Sequence, residues 1–76
     1  MNDKLRSRRF GPIDRLFSIY ELCEGEEIIL QISREDDGIR YLLSFYPAID
    51  GRTYALGEIE ARVAQAKKRL EDEEPI

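Results

Sequence analysis

Apolar residues fall at every second position in two stretches of the chain. Over residues 27–34 (EIILQISR), Ile28, Leu30 and Ile32 share one side, and Ile29, Gln31 and Ser33 the other. Over residues 39–46 (IRYLLSFY), Ile39, Tyr41, Leu43 and Phe45 alternate with Arg40, Leu42, Ser44 and Tyr46. Successive side chains of a strand point to opposite faces, so each stretch predicts a strand with one strongly apolar face. Asp37-Gly38 between them predicts a tight hairpin, because both residue types tolerate the positive φ of such a turn. Pro47 closes the second strand, since it cannot donate to the ladder.

A different period follows the Asp50-Gly51 loop. Leu56, Ile59, Val63, Ala66 and Leu70 recur at spacings of three and four, which places all five on one helical stripe. Glu58 and Glu60 suit the positive N-terminal end of that helix, and Lys67, Lys68 and Arg69 the opposite end. Asp72, Glu73 and Glu74 oppose the dipole in a final turn, so the helix is expected to fray near Leu70. Residues 16–23 (LFSIYELC) fit two templates. A helix could begin at Pro12 and stop at Gly25, but the aromatic and β-branched content favours a strand turning at Glu24-Gly25.

The expected fold is therefore α+β: a three-stranded antiparallel meander with one C-terminal helix on one face (βββα). Residues 1–11 (MNDKLRSRRFG) show no sustained period and read as a flexible basic N-terminal arm. Residues 12–71 form the single domain and residues 72–76 an acidic tail. A helix of this length, at 1.5 Å per residue, spans roughly 20 Å and runs back along the sheet. It brings Lys67, Lys68 and Arg69 towards the three carboxylates of the hairpin tip, Glu35, Asp36 and Asp37.

The chain has 76 residues and carries a formal charge of −4. That charge is unevenly spread. Residues 1–15 hold five basic groups against two acidic, a net +3, and the remainder seven against fourteen, a net −7. The single cysteine, Cys23, excludes an internal disulfide. No apolar run approaches the ~20 residues of a membrane span. With a lone thiol, the expected compartment is the cytoplasm.

The residue inventory argues against an enzyme. Histidine is absent, which removes the commonest general base near neutral pH and the commonest metal ligand. Cys23 precedes Glu24, Glu26 and Glu27, whose negative charge disfavours a thiolate. The glycines lack phosphate-loop spacing. The Glu35–Asp37 run lacks the alternating oxygen ligands and distal Glu of a calcium loop and reads as a solvated turn. No cofactor, metal site or catalytic residue is expected.

Two binding readings remain. The first is a small non-enzymatic protein-interaction module: an adaptor, or an inhibitor of the kind phages and mobile elements encode, self-associating as a homodimer. It rests on apolar surface that one helix cannot cover, at Ile29, Leu42, Tyr46 and Tyr20, and on an acidic pole at Glu24, Glu26, Glu27 and Asp50. The alternative is nucleic-acid binding through Lys4, Arg6, Arg8, Arg9 and Arg15. In outline, a basic arm (KLRSRR) before three strands and a helix resembles the small arm-binding domains of phage-type integrases, and that resemblance implies DNA contact.

Overall fold

A computed structural model of the chain describes residues 4–75; residues 1–3 of the expected arm and residue 76 of the expected tail lie outside the described residues. The α+β class holds: an antiparallel sheet is followed by one C-terminal helix. The sheet has four strands, β1 (Leu5–Phe10), β2 (Ile19–Glu24), β3 (Glu27–Arg34) and β4 (Tyr41–Phe45), in the order β1-β2-β3-β4. A short 3-10 turn (Pro47–Ile49) leads to the helix α1 (Leu56–Asp72).

The fourth strand corrects the flexible-arm expectation. Residues 5–10 pair with β2 along its full length, from Leu5 opposite Glu24 to Phe10 opposite Ile19. The segment LRSRRF has no apolar alternation of its own, but backbone pairing does not require one. Side-chain contacts hold it in place. Leu5 is 2% exposed and joins the core, and Arg8 lies 2.9 Å from the largely buried carboxylate of Glu21, directly opposite.

The ambiguous stretch of residues 12–23 contains no helix: it becomes strand β2 only from Ile19, three residues later than expected, and residues 12–18 form a loop. Flanked on both sides, β2 is buried at every position from Ile19 to Cys23, as expected of a central strand. A two-residue loop, Gly25-Glu26, joins β2 to β3, with Gly25 at φ 60°. Glycine first with positive φ is the type II′ pattern, whose twist matches that of antiparallel strands.

A bulge alters the expected facing of β3. Leu22 pairs with Leu30 but Cys23 pairs with Ile28, which leaves Ile29 as an extra residue. Paired residues share a face, so Ile28 sits beside Cys23, away from Leu30 and Ile32. The simple alternation had put Ile28 with those two under the helix and Ile29 outside. Ile29 is instead fully buried in the core cluster with Leu22 and Leu30.

Helix α1 packs on the face that carries Leu5, Tyr20, Leu22, Leu30 and Ile32, inserting Ala66 and Leu70 and half-burying Ile59 and Val63. The first residue of the predicted stripe, Leu56, is 72% exposed and does not reach the core. The helix does not fray at Leu70 as expected but continues to Asp72, with Glu73 as its cap, because its end is held by side chains. Arg34 Nη1 donates to the Leu70 carbonyl (2.9 Å), and the Glu73 carboxylate accepts from the Ser18 backbone N–H (2.6 Å). At the other end, Arg62 donates to the Leu5 carbonyl (2.8 Å). The helix thus returns from the Gly25 end of the sheet to the Asp37-Gly38 end, where Lys67 lies 5.5 Å from the Tyr41 ring.

Candidate protein-interaction surface

A four-stranded open sheet has two edges, and here they differ in chemistry. The β1 edge carries Arg6, Arg8 and Arg9 within six residues. Charged side chains on an edge strand discourage pairing with another chain. The β4 edge, YLLSF, carries no charge. Leu42, Leu43 and Phe45 are 40%, 48% and 65% exposed, so β4 is open on both faces as well as along its side.

Geometry explains why β4 stays bare. A helix with its side chains is about 10–12 Å across, whereas four strands spaced about 4.8 Å apart present a wider sheet. One helix cannot roof it. In this chain α1 lies over the inner strands and ties to Leu5 of β1, leaving the β4 side uncovered. Leu43 and Phe45, expected beneath the helix, are the residues so exposed. Their exposure follows from the fourth strand, β1, which widens the sheet beyond what one helix covers.

The free edge has a defined polarity. The Tyr46 N–H donates to the Ile29 carbonyl (3.0 Å), and the Glu35 N–H donates to the Arg40 carbonyl (2.8 Å). In an antiparallel strand the N–H and C=O of one residue point to the same side, and successive residues alternate. Arg40, Leu42, Ser44 and Tyr46 therefore turn their backbone groups to β3. Tyr41, Leu43 and Phe45 turn theirs outward.

The other residues singled out from the sequence are dispersed. Tyr20 and Ile29 are core residues and offer no surface. Leu42 lies on the helix-free face opposite Ser33, and Tyr46 is half-buried with its hydroxyl donating to Gln31 Oε1 (2.7 Å). Glu26 and Asp50 are exposed. Glu24 and Glu27 are not free acids: Arg52, which sequence reasoning passed over, bridges both carboxylates, and the Tyr54 hydroxyl donates to Glu24 (2.6 Å). The Tyr54 bond first, and Arg52 second, hold the Glu24 carboxyl below its ordinary range, while burial and the Glu24 carboxylate push the Tyr54 phenol up.

The basic groups of β1 are likewise engaged within the molecule. Arg6 donates to the Gly25 carbonyl (2.9 Å), Arg8 pairs with Glu21, and Arg9 donates to Ser18 Oγ (2.9 Å) beside Glu73. Lys4 is exposed and Arg15 half-buried. At the hairpin tip, Asp37 Oδ1 accepts from the Ile39 N–H (2.8 Å) and Asp36 Oδ1 from the Leu16 N–H (3.0 Å). Asp37 thus caps its own turn, and Asp36 ties the tip to the loop before β2. Among the described residues no group of three or more Cys, Asp or Glu is arranged to hold a metal ion, and no helix is long and apolar enough to cross a membrane.

Comparison of the chain with protein-family models, with curated proteins and with solved structures finds no match. Outward backbone donors and acceptors flanked by apolar side chains can bind an extended strand.

Proposed function

We propose that this chain is a small non-enzymatic protein-interaction module, an adaptor or an inhibitor, that engages its partner through the β4 edge. The observation that carries the reading is the uncharged strand Tyr41–Phe45, unpaired along one side and exposed on both faces. Strand addition to such an edge draws affinity from backbone bonds and selectivity from alternate side chains. The half-exposed Leu43 and Phe45 are the contacts a partner would bury. A cytoplasmic setting fits the one thiol, Cys23, which is buried and free.

The nucleic-acid alternative draws less support. Its flexible arm is a strand, and Arg6, Arg8 and Arg9 already have partners within the fold. The implied likeness to integrase arm-binding domains also rested on three strands rather than four.

The deciding experiment captures a binding protein from the native host, identifies and purifies it, and maps the complex by hydrogen exchange. Protection of the Tyr41, Leu43 and Phe45 amides is expected. Binding that leaves these amides exchanging as in the free chain would remove β4 as the site. DNA or RNA binding at low salt, with a salt slope that flattens on loss of Arg6 and Arg8, would favour the alternative.

A further inference from the structure

We infer that the partner of the β4 edge is a second copy of this chain, paired antiparallel about a two-fold axis through Leu43. The inference rests on the reading of β4 as the interaction edge. It joins two four-stranded sheets into one continuous sheet of eight, with both helices on the same side.

The register follows from the edge itself. A two-fold axis normal to the sheet keeps each side chain on its own face, so only residues of matching parity can oppose one another. With Leu43 opposite Leu43 of the second copy, Tyr41 opposes Phe45 in both directions. Every outward N–H and C=O of the strand then has a partner. The neighbouring registers fail at defined atoms. A shift of one step towards the N-terminus sets Phe45 against Ile39, whose N–H is already given to Asp37 Oδ1 at 2.8 Å. The opposite shift sets Tyr41 against Pro47, which has no N–H.

Side chains agree with this register. The strand reads aromatic, leucine, leucine, serine, aromatic, so self-pairing matches an aromatic ring with an aromatic ring and leucine with leucine on the helix-bearing face. Aromatic and aliphatic cross-strand pairs are the favourable ones. On the other face Leu42 meets Ser44, and Arg40 meets Tyr46, so no like charges are opposed along the strand. Self-pairing of β1 would gather the arginines of two copies. The β4–β4 contact is isologous and closes after two chains.

The test uses the full chain. Light scattering after size exclusion at roughly 10–100 µM, a range chosen to detect micromolar association, is expected to give twice the 8.9 kDa chain mass. Leu43→Pro removes an outward N–H and leaves the β3–β4 ladder, which uses Leu42 and Ser44; it is expected to be a monomer with unchanged far-UV circular dichroism. Leu43→Cys is expected to form a disulfide-linked dimer on mild oxidation, whereas Leu42→Cys, offset from its own copy, is not. This pair of cysteine variants decides the register even if the proline variant does not fold, and the buried Cys23 does not compete. Wild-type mass of a single chain throughout the range overturns self-pairing, as does equal cross-linking of the two cysteine variants. A monomeric wild type whose β4 amides are still protected by another protein refutes the second copy and leaves the interaction edge standing. A dimer that survives Leu43→Pro refutes the edge.

Discussion

The Arg34 guanidinium donates to the Gly38 carbonyl from Nε (3.1 Å) and Nη2 (2.8 Å) and to the Leu70 carbonyl from Nη1 (2.9 Å), and it lies 4.3 Å from the centre of the Phe17 ring. One planar cation thus joins the β3–β4 turn, the helix C-terminus and the loop before β2. Lysine keeps the charge but not the fork or the stacking plane. Arg34→Lys should therefore cost about 1–3 kcal/mol, the range for losing charge-assisted hydrogen bonds and a cation–π contact, read as a lower urea midpoint at unchanged slope. Two carboxylates set the acid response. Backbone N–H groups of Ile39 and Arg40 hold Asp37 below its ordinary value of 3.8, and Tyr54 and Arg52 hold Glu24 below 4.5. A depressed folded-state value means these groups stabilise the fold fully above their ordinary values. That contribution is lost as pH falls through the lower, folded values. Unfolding midpoints should accordingly drop as pH is lowered from about 5, and Glu24→Gln should flatten that drop. A variant whose acid limb matches wild type would show that the Glu24 cluster does not bear on stability.

Strand β1 provides the clearest test among the elements. An arm free in solvent can be deleted without consequence, whereas an edge strand cannot. Deleting residues 1–10 removes Leu5, whose full burial alone stabilises by about 1.5–3 kcal/mol, and strips the flank from β2. It also leaves Glu21, 9% exposed, without Arg8. The truncated chain should unfold at clearly lower urea than the full chain; an equal midpoint would restore the arm. The segment was hidden in the sequence because an edge strand takes its reason from its neighbour. LRSRRF has one residue that reaches the core, and no periodicity can be read from one residue. By contrast, EIILQISR announced β3 with its full span, Glu27–Arg34, and the stripe from Ile59 to Leu70 announced α1. The bulge at Ile29 was illegible for a related reason: alternation assumes an unbroken pleat, and the extra residue is visible only in the pairing. Leu42 was legible as surface. The exposure of Leu43 and Phe45 was not, because it depends on how many strands one helix must cover.

At the scale of the whole molecule, the core is a single layer between one helix and one sheet face, in a chain of 76 residues. Domains of this size hold only a few kcal/mol in reserve, so any association has a visible effect on stability. If two chains dissociate as they unfold, mass action makes the melting temperature depend on concentration. A tenfold increase in protein contributes about 1.4 kcal/mol per dimer, or roughly 0.7 per chain, at 25 °C. For a domain of 60–100 residues, 1 kcal/mol moves the midpoint by about 4–8 °C. Melting curves at two concentrations a decade apart should then differ by about 3–6 °C for the wild type. The same comparison for Leu43→Pro should show no difference, because its unfolding involves one chain only. This measurement reads the joined sheet through its energetics rather than its mass. A wild-type midpoint that is constant over the decade would mean that the β4 edges are apart before the chain unfolds.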